Sequence, residues 1–308
     1  MKKVIVTGGA GFIGSHTVDS LVERGAAVGI VDDFSTGKKE NIKQVRGKIE
    51  LFEGSITDAG LLKKAFAGAD AVIHLAALPS VPKSFEFPLE TNAINATGTL
   101  SVFLAARNAG VERVVYASSS SVYGDTPTLP KVETMPTNPL SPYAIQKLTA
   151  ELYGRIFAFA YGLKTIGLRY FNIFGPRQDP HGAYAAVIPK FIHRIKKGER
   201  PVIFGDGEQT RDFTYIKNAV AANLCALDAE RGFGKAYNIA AGDKISLNEL
   251  VGKINEILGT TASPEYAPSR QGDIKNSFAD INKARDSFGY KPMVTFEEGL
   301  KHTIDSIT

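Results

Sequence analysis

Ser141-Pro142-Tyr143-Ala144-Ile145-Gln146-Lys147 holds a phenol and an amine four residues apart. On a helix that spacing puts both side chains on one face. Pro142 suits the first helical turn and Ser141 the cap. A free phenol has a pKa of about 10, and a neighbouring ammonium favours the phenolate. Tyr143 therefore reads as a general base near neutral pH, with Lys147 supporting it. Tyr-x-x-x-Lys is common and by itself means little, so its surroundings decide. A predicted strand, Val111–Ala117, runs into Ser118-Ser119-Ser120-Ser121-Val122-Tyr123-Gly124. A serine at that strand end can hydrogen-bond the substrate oxygen that loses its proton. The plain alternative for four serines is a polar turn.

A second pattern lies at the start of the chain. Lys3–Val6 is a short apolar run that ends in Thr7-Gly8-Gly9-Ala10-Gly11-Phe12-Ile13-Gly14, followed by a helical pattern. Gly8, Gly11 and Gly14 are spaced G-x-x-G-x-x-G. Glycines in a strand-to-helix turn let backbone N–H groups approach a pyrophosphate, and the last allows helix to pack closely on strand. The helix N-terminus adds partial positive charge. The next predicted strand, Ala27–Val31, ends at Asp32-Asp33. A carboxylate there accepts hydrogen bonds from ribose hydroxyls and repels a 2′-phosphate, which points to NAD rather than NADP. A solvated loop carboxylate or helix cap is the competing reading, and Asp33 fits either. A bound nicotinamide ring, being positive, would also favour the Tyr143 phenolate.

These groups need a scaffold that brings them together. Further predicted strands are Glu50–Phe52, Ala71–Leu75 and Thr165–Arg169. Predicted helices between them are Ile13–Arg24, Ala59–Phe66, Pro88–Ala109 and Pro142–Ala160. Several strands are apolar throughout, the mark of a parallel sheet covered on both faces. Alternating strand and helix then predicts an α/β fold: a Rossmann-type doubly wound parallel sheet. After Phe174, Gly and Pro punctuate the chain at Gly175-Pro176, Asp179-Pro180, Pro201, Gly205 and Gly207. Helices are predicted at Ala185–Lys197, Lys217–Asp228, Leu247–Leu258 and Phe296–Asp305, with short strands such as Pro201–Phe204 and Ala236–Ile239. The expectation is a cofactor domain over 1–174, with some later segments returning to it. A smaller C-terminal α/β substrate lobe follows over 175–308.

The 308 residues carry a net charge of +4, with 44% hydrophobic and 22% charged residues. That is an ordinary globular composition. So small an excess of charge, without clustered Lys and Arg, argues against nucleic acid or a membrane surface as partner. One cysteine, Cys225, excludes an internal disulfide and fits a reducing compartment. The N-terminal apolar run is too short for a signal peptide, and no stretch is long enough to span a membrane. A cytoplasmic protein is expected, and no metal ligands are assigned.

Thr-Gly-Gly-Ala-Gly-Phe-Ile-Gly, the serine-rich strand end with Val-Tyr-Gly, and Pro-Tyr-Ala-x-x-Lys together resemble the extended short-chain dehydrogenase/reductase family. The resemblance covers essentially the whole chain. Leu168-Arg169-Tyr170-Phe171-Asn172, Gly205-Asp206-Gly207 with Arg211-Asp212-Phe213, and Arg270-Gln271-Gly272-Asp273 resemble that family's substrate-lobe elements. They point to sugar-nucleotide epimerases. Arg177-Gln178-Asp179-Pro180-His181-Gly182 through Lys190, and Ala77–Ser84, are most similar to UDP-N-acetylglucosamine 4-epimerases.

The resemblance implies bound NAD, a UDP-sugar substrate, and a catalytic serine four before the Tyr of Val-Tyr-Gly, at Ser119, acting with Tyr143 and Lys147. It places Phe12, Ile13, Leu75, Ala76, Ala77 and Ile56 at the cofactor. At Gly54-Ser55-Ile56 the family usually carries Asp where Ser55 stands. On the substrate side it places Ser120, Asn172, Val187, Arg211, Arg270 and Asp273. Arg211 and Arg270 suit a diphosphate, since guanidinium forks bind phosphate oxygens in pairs; a surface ion pair with a nearby Asp is the alternative for each. Counting four from Asp273 puts Ser277 at the wall near sugar C2. A small residue there leaves space for an N-acetyl group. The expected activity is reversible C4 epimerisation of UDP-GlcNAc/UDP-GalNAc, with UDP-Glc/UDP-Gal also accepted. Family members pair the helices over Pro88–Ala109 and Pro142–Ala160 into a four-helix homodimer interface. Rival activities are a UDP-glucuronate 4-epimerase or decarboxylase and a nucleotide-sugar 4,6-dehydratase. In family dehydratases an Asp-Glu pair follows a Thr after the active-site strand; here Ser119-Ser120-Ser121-Val122 occupies that place, with no carboxylate. A non-catalytic NAD sensor would commonly lack Tyr143.

Overall fold

The computed structural model describes residues 2–180, 185–269 and 274–307. Six successive strands, β1 (Lys3–Thr7), β2 (Ala27–Asp32), β3 (Ile49–Glu53), β4 (Ala71–His74), β5 (Arg113–Ser119) and β6 (Lys164–Tyr170), join one later strand, Lys235–Ile239, in a seven-stranded sheet. All neighbours are parallel, and the order is Lys235–Ile239, β6, β5, β4, β1, β2, β3. The chain winds outward both ways from the β1/β4 border. Loops at the carboxyl ends of these two strands part there and leave a crevice. Lys235–Ile239, read from sequence among the short lobe strands, is thus a segment that returns to the main sheet.

Both faces of the sheet are buried, which is why β4 can be apolar residue after residue. One face is covered by Val18 and Leu21 of helix Phe12–Glu23 and by Ala219 and Leu227 of helix Ile216–Asp228. The other is covered by Phe66, Val102, Phe103 and Phe157. Helix Pro142–Tyr161 lies close against this second face because two glycines make room. A Cβ on Gly154 would stand 2.5 Å from the Tyr116 hydroxyl oxygen, and one on Gly167 would stand 2.7 Å from the same ring. Phe103 meets Tyr116 edge-on at 5.3 Å. This packing fixes the distance from the helix to the end of β5.

The apolar pattern over Pro88–Ala109 predicts one helix; the structure divides it. Pro88–Asn92 and Thr99–Asn108 are α-helical, and Ala93–Gly98 between them is a wider π turn. Asn95 lies in that turn, 1% exposed. Its side chain accepts from Leu78 N at 2.8 Å and donates to Leu78 O at 3.1 Å and Gln146 Oε1 at 2.8 Å. Such turns recur at functional sites, and this one grips the loop that follows β4. A ten-residue 3₁₀ segment, Lys39–Lys48, is also absent from the sequence reading; it packs through Ile42 and Val45.

The C-terminal lobe is built on helices Val187–Lys196, Leu247–Leu258 and Phe296–Ser306. Ile188, Ile192, Leu250, Ile254 and Leu300 fill the space between them. Its strands are two or three residues long. Among the described residues no helix is long and apolar enough to cross a membrane.

Gly154→Ala forces a methyl onto the Tyr116 ring. We expect a net loss of about 1–2 kcal/mol after the gain in helix propensity, read as a lowered Tm. Gly252→Ala, in an open position on helix Leu247–Leu258, should shift Tm upward. A Tm for Gly154→Ala equal to that of Gly252→Ala would mean the ring can move aside.

Candidate active site

A cleft of about 1000 Å³ opens at the β1/β4 crevice. Its floor is the β1-to-helix turn. Gly8 has φ +70°, and a Cβ there would lie 2.7 Å from Ala76 N. At Gly14 a Cβ would lie 1.9 Å from the Gly8 carbonyl oxygen. Both positions exclude any side chain, and the turn is thereby pressed against the Leu75-Ala76 wall. Gly11 is the N-cap of helix Phe12–Glu23, with no side-chain cap and no acidic residue in the first turn. The orphan N–H groups of that turn are left for an anion. Phe12, Ile13, Leu75, Ala76, Ala77 and Ile56 all line the cleft, as the sequence reading expects.

Asp32 and Asp33 line it at the end of β2. Asp32 is 7% exposed. Its carboxylate accepts from Ala10 N at 2.8 Å and from Phe34 N at 2.9 Å. Burial pushes its pKa up, and the two backbone N–H bonds oppose the rise. A carboxylate has about four lone-pair sites, so two remain for ribose hydroxyls. Asp33 is exposed and accepts from Ser35 N at 2.9 Å. Asp32 thus both shapes the turn and faces the cleft.

Tyr143 and Lys147 sit on the first turns of helix Pro142–Tyr161, capped by Ser141, whose Oγ accepts from Ala144 N at 3.1 Å. Lys147 is 6% exposed. Its Nζ donates to the Ala117 carbonyl at 3.0 Å and stands 5.8 Å from the Tyr143 ring centre. Burial pulls the Lys147 pKa down to about 8. Burial also pushes the Tyr143 phenol up to about 12, against the opposing hydrogen bond of Ser119. The expectation of a base near neutral pH joins Lys147 with a bound nicotinamide ring; burial alone acts against the phenolate.

The serine run divides its work. Ser119 faces Tyr143 and accepts from Ser121 N at 3.2 Å and Ser121 Oγ at 2.9 Å. Ser118 donates instead to Glu151 Oε1 at 2.5 Å. Glu151 in turn holds Arg169 through two bonds of 2.8 and 2.6 Å. Ser120 lines the cleft.

On the opposite wall stand Asn172, Arg211 and Ser277. Ser277 pairs with Arg211 across two short parallel strands, which puts them side by side. Asp212, next to Arg211, is fully buried and accepts from Ala241 N, Gly242 N and Ala279 N at 2.9, 3.2 and 3.4 Å. Burial raises its pKa to about 7. Two expected residues are absent from the lining. Ser55 pairs with the Thr57 hydroxyl at 2.9 Å in an exposed position. Val187 begins a helix and packs on the core, while Ala185 and Ala186 face the cleft. Arg270 and Asp273 lie outside the described residues, as does 181–184 of the segment quoted for its resemblance.

The sequence reading also missed lining residues: Lys38, Asn41, Val81, Arg177 and Gln178. None belongs to a periodic pattern. Arg177 and Asn172 do carry a structural mark, left-handed backbone at φ +68° and +38°. Such strain gathers at functional sites.

Comparison with known proteins gives this geometry a context. The family model described as "NAD dependent epimerase/dehydratase family" matches residues 4–240. A putative UDP-glucose 4-epimerase of Methanocaldococcus jannaschii is 40% identical over 98% of this chain and 97% of its own length. Among solved structures, the UDP-N-acetylglucosamine 4-epimerase of Methanobrevibacter ruminantium, in complex with UDP-N-acetylmuramic acid, superposes with a TM-score of 0.95. It is 43% identical, with 99% of this chain and 97% of that one covered. The UDP-glucose 4-epimerase of Thermus thermophilus, in complex with NAD, gives a TM-score of 0.91 at 36% identity, covering 99% and 98%. The uncapped helix behind Gly11, a donor of N–H groups, and the Asp32 carboxylate, an acceptor, suit the phosphates and the ribose of such a dinucleotide. The chain belongs to the NAD-dependent epimerase/dehydratase family and takes NAD as its cofactor.

Proposed function

We propose that the protein interconverts the C4 epimers of UDP-sugars: UDP-N-acetylglucosamine with UDP-N-acetylgalactosamine, and also UDP-glucose with UDP-galactose. The observation that carries this is one cleft holding the Tyr143–Ser119–Lys147 set between the dinucleotide turn and the Arg211–Ser277 wall. Bound NAD supplies the acceptor, and then the donor, for the C4 hydrogen as hydride. Tyr143 removes the proton of the sugar 4-hydroxyl while Ser119 hydrogen-bonds that oxygen. The C4–H electron pair leaves and the C4–O bond becomes a carbonyl. The planar ketone offers its other face, and Tyr143 returns the proton as the C–H bond reforms. No net oxidation results and no second substrate is consumed. Because burial holds the phenol near 12, its ionisation requires positive charge beside it, which Lys147 and the nicotinamide ring provide.

The Arg211 guanidinium suits the substrate diphosphate. Arg270 and Asp273 keep the roles the resemblance implies as parts of the same proposal. We also propose a homodimer. Ile145, Leu152, Ile156 and Phe159 form an exposed seam on helix Pro142–Tyr161, with Phe159 89% exposed, and Leu89 adds to it at 86%. Large apolar groups at that spacing suit a facing helix.

Two substitutions separate chemistry from stability. Tyr143→Phe should bind NAD normally and lose about 10³-fold or more in turnover, followed by NMR of the UDP-sugar epimers without added cofactor. Lys147→Met should also lose turnover but raise the Tm of the NAD-free protein. The folded pKa of Lys147, about 8, lies below its usual 10.5. Its charge therefore costs stability below pH 8, and that cost fades as pH rises towards 10.5. A lower Tm for Lys147→Met would refute the cost assigned to the buried cation.

Ser277→Tyr should reduce turnover of the N-acetylated pair by about 100-fold through steric clash, while UDP-galactose remains a substrate. Equal losses on both pairs would remove Ser277 as the gate. For the assembly, sedimentation of Phe159→Glu should show monomer where the parent shows dimer; a parent that is itself monomeric would end the dimer proposal.

A further inference from the structure

Lys147 ties helix Pro142–Tyr161 to β5 on one side; a buried polar seam ties it on the other. Residues of a helix turn by about 100° each. Gln146 therefore points about 60° to one side of Tyr143, and Lys147 about 40° to the other. Lys147 reaches the Ala117 carbonyl. Gln146 reaches the helical turns that follow β4, where its Nε2 donates to Thr91 Oγ1 at 3.0 Å and its Oε1 accepts from Asn95 Nδ2 at 2.8 Å. Gln146 is 3% exposed and Thr91 wholly buried. At the helix start, Tyr143 N donates to Ser84 Oγ at 3.1 Å, and Ser84 Oγ donates to Val81 O at 2.7 Å. Leu78, Val81, Pro82 and Phe85 of the same stretch line the cleft.

The backbone dictates the direction of every bond in this seam. Leu78 N can only donate, so Asn95 must offer it Oδ1. The Asn95 nitrogen is left to donate, to Leu78 O and to Gln146 Oε1. That orients the Gln146 amide, whose Nε2 must donate to Thr91 Oγ1. Thr91 passes its own proton to the carbonyls of Phe87 and Pro88, at 3.1 and 3.2 Å. A buried network satisfied in one direction specifies one arrangement. With Lys147 and Gln146 anchored on opposite sides of Tyr143, the roll of the helix about its axis is set. A phenol oxygen stands roughly 8 Å from that axis, so a roll of about 10° moves it by more than about 1 Å. A misplacement of about 1 Å at reacting atoms can cost about 10²-fold in rate.

We propose that Gln146 is a positioning residue for the proton transfer at Tyr143. Bonded to Thr91 and Asn95, its amide sets the roll of the helix and hence the reach of the phenol to the sugar 4-hydroxyl. The proposal rests on the isomerase reading, in which Tyr143 takes that proton. Gln146 and Thr91 are not among the residues lining the cleft, so both act through Tyr143 and not on the substrate.

The test compares Gln146→Met, close in shape but without the amide, with Thr91→Val, which removes one hydroxyl. Each is assayed as NAD-loaded enzyme well below its Tm. Turnover, kcat, should fall about tenfold or more in Gln146→Met and about threefold in Thr91→Val, with KM for the UDP-sugar and NAD content within about twofold of the parent. The double variant should lose no more than Gln146→Met alone, because Thr91 acts only through the amide. Thr303→Val is the control for stability. It deletes a buried hydroxyl that donates to Gly299 O at 2.7 Å on helix Phe296–Ser306, so Tm should fall while kcat holds. Should Gln146→Met fail to fold, Thr91→Val carries the test against the same limits. A kcat for Gln146→Met within about twofold of the parent, a loss confined to KM, or losses that multiply in the double variant would overturn the proposal. A parent inactive on every UDP-sugar tried would overturn the isomerase reading and this proposal with it; an active parent matched by Gln146→Met overturns the proposal alone.

Discussion

A cation kept out of water organises this site. Lys147 is buried with the Ala117 carbonyl as acceptor, and burial pulls it towards neutrality. To hold it there the helix must sit close to the sheet, which the Gly154–Tyr116–Gly167 contact allows. Ala117, near the end of β5, must lie in register with the helix, and Glu151 fixes that register. One turn beyond Lys147, Glu151 accepts from Ser118 on the same strand end and pairs with Arg169 on β6. Ser119, the next residue, then falls opposite Tyr143. A buried ion pair contributes little net stability against an apolar replacement; here its consequence is alignment. Both Tyr143 and Lys147 are shifted away from charge by the same dryness.

Much of this was legible because it is local. The Gly8–Gly14 spacing, the acidic end of β2 and the Tyr143–Lys147 pair each read out from a few adjacent residues, and all were found lining the cleft. What failed was non-local. Nothing in the apolar periodicity of 88–109 shows that Asn95 is drawn to Leu78 and Gln146, so a single helix was the natural expectation. The sign of the Tyr143 shift depends on how much water the fold excludes, which spacing cannot report. Ser55 shows the limit of transfer by resemblance: its position matches the family segment, yet its hydroxyl turns to Thr57. Arg177 was quoted only for its similarity, because its place in the cleft depends on Asp19, 158 residues away.

The Arg211–Ser277 wall follows a different rule from the glycine-turn floor. Arg211 and Ser277 stand on strands two residues long, too short to hold themselves by ladder hydrogen bonds. Their position comes from a buried carboxylate. Asp212 gathers the N–H groups of Ala241, Gly242 and Ala279, and its own carbonyl accepts from Asn172 at 3.0 Å. Asn238 does similar work behind it, bonded to Tyr123, Lys131 and Asp280. Polar anchors of this kind fix a few backbone atoms and leave neighbouring side chains free to differ. A change at Ser277 can thus alter the volume of the cleft beside Arg211 without disturbing Asp212, while any side chain at Gly8 or Gly14 meets backbone. The glycine turn is built into close packing that tolerates no substitution, and Ser277 stands on a wall that does.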